Sequence, residues 1–280
     1  MAADAQAFER LLQRDRTITL VGLATLCGLA WLYIATGAGL GMSGWEMTSF
    51  ALFPHIHPAA TMPGMDTFAT AAHWGGSAWT LMIAMWWIMM IAMMTPSAAP
   101  TILLYARVYR HALAQGQLQG RFAPIGAFAA GYLSVWLVFS IAAAMLHWTL
   151  QHAGLISAMM MGSQSRWLSG TVLIGAGLYQ ISPLKEVCLR HCRSPASFLS
   201  RHWRPNSLGA LRLGAIHGAY CVGCCWMLMA LLFVGGVMNL AWIAALALLV
   251  LAEKVLLLGR WIGRGSGVVL GVWGMATLMV

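Results

Sequence analysis

Long apolar runs alternate with short polar connections along most of the chain. The runs cover residues 18–40, 77–95, 124–147, 168–181, 213–234, 238–258 and 266–280. A helix of about 20 apolar residues is long enough to cross the hydrocarbon core of a bilayer. The pattern therefore predicts an all-α fold, a polytopic membrane helix bundle of about seven transmembrane helices.

Proline and glycine mark the ends of several runs. Pro96 and Pro100 follow the second run and are expected to break or kink its helix. Gly235 and Gly236 separate the fifth run from the sixth and predict a tight turn. The fifth and sixth helices should therefore be antiparallel neighbours.

The basic residues set the orientation, because cytoplasmic connections of membrane proteins are rich in Lys and Arg. Of 16 Lys and Arg residues, only Arg166 falls in a segment predicted to lie outside. The N-terminus is therefore predicted inside and the C-terminus outside. The domains expected are a cytoplasmic N-terminal segment, 1–16, and a single transmembrane domain, 17–280, with an outer Met/His loop at 41–76 and a cytoplasmic basic loop at 184–212.

Composition excludes a soluble protein. The chain is 60% hydrophobic and 8% charged, whereas soluble domains carry about 25% charged residues. The net charge of +9 comes from connections between spans, so it indicates contact with a lipid bilayer and no nucleic-acid partner. The first run is too long for a signal-peptide core and is expected to remain as an uncleaved span.

The second run carries a methionine stripe. At about 100° per residue, Met85, Met89 and Met93 lie on one helical face, and Met82, Met90 and Met94 widen it. Thioether sulfurs are soft ligands that select Cu(I). The alternative is that these methionines only fill space in the core, as pliable side chains often do.

Four potential ligands share one face of the fifth span at i,i+3 and i,i+4 spacing: His217, Cys221, Cys224 and Cys225. Thiolate and imidazole groups bind transition metals. One helix cannot enclose an ion, so further ligands must come from elsewhere. Buried cysteine is also a common small packing residue, which is the competing interpretation.

Two nearby segments offer additional ligands. The cytoplasmic basic loop contains three of them at helical spacing: Cys188, His191 and Cys192. Glu253 lies near the inner end of the sixth span, where an acid is usually functional or paired. Its alternative role is an ion pair with Lys254 or Arg212.

Histidines and methionines also collect on the predicted outer side. The outer loop contains Met42, Met47, His55, His57, Met62, Met65, Asp66 and His73. His147 and His152, at the end of the third span, are predicted on the same membrane face as His73. These residues are either an outer metal site or interfacial packing.

Several stretches resemble a bacterial family of predicted metal-binding integral membrane proteins, a family of unknown function whose members are sometimes labelled copper chaperones. They are residues 85–100, GYLSVW at 131–136, GLYQISPLK at 177–185, CLRHCRSP at 188–195, HGAYCVGCCW at 217–226, GGVMN at 235–239 and EK at 253–254. The resemblance covers about residues 80–260. It implies a multi-pass, metal-binding protein of the bacterial inner membrane.

Three functions are consistent with these features. The first is Cu(I) trafficking, as a membrane chaperone or transporter that serves a cuproenzyme, a soluble metallochaperone or a partner subunit. The second is an oxygenase-like copper enzyme, or a subunit of one, that uses His73, His147, His152, Asp66 and Asn239. The third is a structural assembly subunit whose motifs pack helices. Copper is the expected metal, and another transition metal is the alternative.

Overall fold

The structure, a computed structural model, describes residues 2–39, 42–48, 75–116, 124–158, 160–202 and 206–280. This part of the chain folds into ten helices and no strand, which confirms the all-α prediction. In chain order they are α1 Ala2–Ala35, α2 Gly76–Ala114, α3 Ile125–His152, α4 Arg166–Ile181, α5 Pro183–Arg193, α6 Pro195–His202, α7 Ser207–Ala230, α8 Leu232–Gly235, α9 Leu240–Val255 and α10 Gly259–Met279.

Four of the described helices are long and apolar enough to cross a membrane. They run over Arg16–Ala35, Gly76–Ala114, Ile125–His152 and Ser207–Gly235. The polytopic membrane bundle is therefore confirmed, while the count of seven spans stays a prediction. Helices α4 and α9 have 16 residues each, which is short for a span.

The second helix differs from its prediction. It continues through Pro96 and Pro100 to Ala114 and has 39 residues, so the prolines do not end it. Pro96 has no N–H to donate to the carbonyl of Ala92. Instead, the thiol of Cys27 on α1 donates to that carbonyl at 3.4 Å. The neighbouring helix α1 thus supplies a donor for the Ala92 carbonyl, which Pro96 leaves without its usual backbone hydrogen bond.

Helices α3 and α7 pack backbone to backbone through glycine. A Cβ on Gly131 would collide with the carbonyl of Leu211, and one on Gly214 would collide with the carbonyl of Phe128. Helices α4 and α10 also pack closely: a Cβ on Gly177 would lie 2.7 Å from the Gly267 oxygen. Small residues let membrane helices approach in this way, and these contacts fix the rotation of α7.

The cytoplasmic position of the basic segment 184–212 stays a prediction. Its described part forms α5, α6 and the start of α7. The cytoplasmic N-terminal segment 1–16 also stays a prediction, and α1 runs without interruption from Ala2 into the first span. The predicted turn at Gly235 and Gly236 is present, and Gly236 has a φ of 96°, a conformation that glycine adopts at no steric cost. Most of the predicted outer loop 41–76 lies outside the described residues.

Candidate metal centre

The methionine stripe of α2 faces the interior of the bundle. All six methionines of the second run are buried: Met82, Met85, Met89, Met90, Met93 and Met94. Methionines therefore surround the helix on more than one side within the protein. The predicted ligands Met85, Met89 and Met93 lie in the core. This position is consistent with a packing role and with a ligand role.

The three cysteines of α7 are also fully buried, each at 2% exposure or less. The thiol of Cys225 donates to the Cys221 carbonyl at 2.9 Å, and the thiol of Cys224 donates to the same carbonyl at 3.1 Å. Both thiols thus return to their own helix. The face predicted from i,i+3 and i,i+4 spacing is formed and is turned inward.

Two neighbouring helices add sulfur to this face. The thioether sulfur of Met94 on α2 lies 3.9 Å from the Cys225 sulfur. Cys192 on α5 is buried and lies beside Cys224. We call the five residues that meet here the sulfur cluster: Met94, Cys192, Cys221, Cys224 and Cys225. Three helices contribute to it.

A buried lysine, which the sequence did not single out as a site residue, completes the surroundings. The Lys254 ammonium donates to the Cys221 sulfur at 2.9 Å and to the Ser97 hydroxyl at 3.1 Å. The Tyr132 hydroxyl lies 3.0 Å from the same sulfur. Helices α2, α3, α7 and α9 thus meet at Cys221. The signal in the sequence was a lysine within an apolar run.

Glu253 lies apart from the sulfur cluster. Its carboxylate accepts from Lys185 at 2.6 Å and from the Gln180 amide at 2.7 Å. All three side chains are buried. Glu253 therefore forms an ion pair, as one sequence interpretation proposed, but with Lys185 rather than with Lys254 or Arg212. This pair joins α5 to α9.

The two candidate histidine ligands on the predicted inner side lie outside the sulfur cluster. His217 is buried among three aromatic rings, with centroids 5.4 Å from Phe198, 5.7 Å from Tyr132 and 6.2 Å from Phe128. Its Nδ1 atom has no hydrogen-bond partner among the described residues. His191 stacks on Tyr220 with centroids 4.1 Å apart, and its Nδ1 hydrogen-bonds to the Val187 carbonyl. Neither residue is a member of the sulfur cluster.

Cys188 faces α7 from α5. Its sulfur would lie 2.9 Å from a Cβ built on Gly223, so the glycine admits the thiol between the two helices. Burial raises the pKa of the Cys188 thiol, and the nearby Cys224 adds to this effect. Cys188 is therefore a protonated thiol at neutral pH.

Only some of the candidate ligands on the predicted outer side lie among the described residues. His147 is buried, with its ring centroid 5.9 Å from Phe233, and His152 stacks on Trp148. The Asn239 side chain caps α9 by accepting from the Trp242 N–H at 3.1 Å. His73 and Asp66 lie outside the described residues. Asn239 thus has a structural task that its sequence position did not reveal.

Within the described ranges, no group of three or more His, Cys, Asp and Glu side chains is arranged to hold a metal ion. The cysteine sulfurs are close together, but two of them donate to a helix carbonyl instead of converging on one point. Any ion bound here would require these side chains to turn. Thioether and thiolate donors are the chemistry that the cluster offers.

Comparison with known proteins identifies the family. The model of the PpoB2 family, described as copper chaperone, matches residues 83–277. This is more than half of the chain, and the chain belongs to that family. The match spans α2 to α10 and includes every member of the sulfur cluster together with Lys254. No curated protein and no solved structure matches the chain.

Proposed function

Because the chain belongs to a copper chaperone family, we propose that it carries Cu(I) as cargo within the bacterial inner membrane and binds it at the sulfur cluster. The observation that carries the proposal is the contact of the Met94 thioether with the Cys225 thiol, 3.9 Å apart. It brings the methionine stripe of α2 and the cysteine face of α7 to one point. Cu(I) prefers these soft donors to carboxylates or water.

Charge supports the same assignment. Two thiolates and one cuprous ion together carry a single negative charge, which the buried ammonium of Lys254 would offset. Buried charges need such partners, because an isolated charge in the interior costs several kcal/mol (on the order of 3–5). Lys254 already contacts the Cys221 sulfur. It therefore adds a positive charge beside the sulfurs that would hold the cargo.

The methionines along α2 supply a route to the cluster. Met85, Met89 and Met93 are buried on the helix that ends its methionine run at Met94. Weak thioether ligands in succession let a cuprous ion approach without releasing it to lipid. His217, whose buried Nδ1 has no hydrogen-bond partner in the described part of the chain, is a further donor near the inner side. The recipient is a cuproenzyme, a soluble metallochaperone or a partner subunit.

Competition for Cu(I) tests the proposal. Detergent-purified protein is loaded anaerobically and titrated with a chromophoric Cu(I) chelator. We expect the wild type to retain Cu(I) and the Cys221→Ser/Cys224→Ser/Cys225→Ser variant to lose it. Cys27→Ser is the matched control, because that thiol lies outside the cluster and donates to a backbone carbonyl.

Equal retention by the wild type and the triple variant would contradict the proposal. If copper stays in the triple variant but is lost from His73→Ala or His147→Ala, the outer-site enzyme hypothesis replaces it. If the wild type retains no copper above the chelator background, the motifs are helix-packing features, as the structural hypothesis holds.

A further inference from the structure

A basic cavity opens between α5 and α10, away from the sulfur cluster. Its volume is about 60 Å³, and its charged lining consists of Lys185, Glu186, Arg190, Arg193, Arg260 and Arg264. One ordered water needs roughly 10–15 Å³ of such space, so the cavity has room for about four to six atoms of that size. A tetrahedral oxyanion has that number of heavy atoms.

The charges in the cavity are only partly compensated. Lys185 is paired with the buried Glu253 beneath it at 2.6 Å, and Arg260 is paired with Glu186. Arg190 approaches Glu186 only to 3.5 Å. The five basic side chains thus face two carboxylates, which leaves an excess of three positive charges.

Arg193 is held in place by neutral groups. Its guanidinium donates to the Leu256 carbonyl at 2.9 Å and to the Leu257 carbonyl at 3.1 Å. These carbonyls follow the end of α9, so they accept hydrogen bonds without cancelling the charge of Arg193. The arginine is therefore positioned in advance, which lowers the entropy lost when it binds an anion.

Two exposed apolar residues, Leu257 and Trp261, contact lining arginines of the cavity, and we call them its rim. Leu257 is 95% exposed, and Trp261 is 66% exposed. The Arg264 guanidinium lies over the Trp261 ring, 5.6 Å from its centroid. Tryptophan and arginine at the end of apolar helices are typical of the membrane–water interface. A lipid at this interface would place its anionic head beside the arginines and its hydrocarbon beside Leu257 and Trp261.

We propose that this cavity binds the phosphate group of an anionic phospholipid on the cytoplasmic side of the membrane. Arginine matches phosphate through paired N–H donors, and basic pockets between membrane helices are suited to acidic headgroups. The exposed apolar rim favours a lipid over free phosphate, because it provides a surface for acyl chains. The site joins α5 to α10 and does not depend on copper binding.

Native mass spectrometry of the delipidated protein in detergent tests this assignment. The protein is titrated separately with phosphatidylglycerol, phosphatidylcholine and inorganic phosphate. We expect one phosphatidylglycerol to bind in preference to phosphatidylcholine. Each arginine near an anionic surface contributes roughly a five-fold change in affinity, so Arg190→Gln/Arg264→Gln should weaken binding about 25-fold.

The matched control is Arg107→Gln/Arg212→Gln. It removes the same charge from two other exposed arginines on α2 and α7. Equal losses in both double variants would overturn the cavity as the site. Binding of inorganic phosphate without preference for phosphatidylglycerol over phosphatidylcholine would overturn the lipid. The comparison of ligands on the wild type decides this second question even if a variant fails to fold.

Discussion

The ammonium nitrogen of Lys254 lies 2.9 Å from the sulfur of Cys221. Both side chains are buried, and they come from different helices, α9 and α7. The contact places a positive charge beside one thiol of the sulfur cluster. It also ties the inner end of α9 to the cysteine helix.

Removal of Lys254 should therefore cost stability in a way that depends on Cys221. We expect Lys254→Met and Cys221→Ala to destabilise the protein separately and the double variant to be more stable than their sum predicts. Residues in direct contact show coupling of about 0.5–3 kcal/mol. Denaturant titration in detergent gives the free energy of unfolding of the wild type, the two single variants and the double variant. These four values give the coupling free energy. Additive effects would show that the contact contributes nothing.

The buried ion pair of Lys185 and Glu253 gives a second prediction. Glu253→Gln leaves the Lys185 ammonium without its carboxylate, and loss of one partner of a buried pair costs about 3–5 kcal/mol. Glu186→Gln is the control, because its partners Arg190 and Arg260 are exposed and such pairs contribute about 0–1 kcal/mol. The melting temperature should fall more in Glu253→Gln than in Glu186→Gln. Equal falls in both variants would show that the buried pair of Lys185 and Glu253 contributes no more than an exposed pair.

Met94 should matter more for copper than its neighbours on the helix. Met94→Leu removes the thioether next to Cys225 and conserves volume, so the fold should tolerate it. We expect Cu(I) affinity to fall by at least about ten-fold, the loss that follows even when groups next to a ligand are removed. Met90→Leu is the matched control, since Met90 is equally buried. Chelator competition provides the measurement, and similar affinities in both variants would exclude Met94 as a ligand.

Glycine packing between α3 and α7 can be tested by adding one methyl group. Gly214→Ala places a Cβ against the Phe128 carbonyl, and overpacking of this kind typically costs about 1–3 kcal/mol. Gly126→Ala on α3 has no atom of the described residues within 4 Å of its Cβ and should be neutral or slightly stabilising. Melting temperatures report the difference. A harmless Gly214→Ala would mean that the helices can separate without cost.

Alkylation of Cys188 should depend steeply on pH. The thiolate is the reactive form, and burial raises the pKa of this thiol above its ordinary value. Below the raised pKa the thiolate fraction increases about ten-fold per pH unit. The rate of maleimide labelling, followed on the peptide that contains Cys188, should therefore keep rising through about pH 9. A plateau near neutral pH would show that the thiol is more acidic than expected.

The sequence by itself determined the class of protein and which side chains are candidates for metal binding. Apolar run lengths and the positions of Lys and Arg identified a helical membrane bundle, because the bilayer imposes helix length and polarity. Helical spacing placed Cys221, Cys224 and Cys225 on one face, since that depends only on backbone geometry. The motif stretches were sufficient for the copper chaperone resemblance, which the family model supports.

Only the tertiary structure decided what lies opposite each face. Spacing along a helix leaves its rotation against its neighbours open, and glycine contacts such as Gly214 against Phe128 set that rotation here. The packing of the whole bundle brings Met94 rather than Met93 to Cys225, pairs Glu253 with Lys185, and places Lys254 at Cys221. Helix α2 continues past Pro96, and Cys27 of α1 supplies the donor for the Ala92 carbonyl that Pro96 cannot supply. Such a long-range partner has no signature in the local sequence.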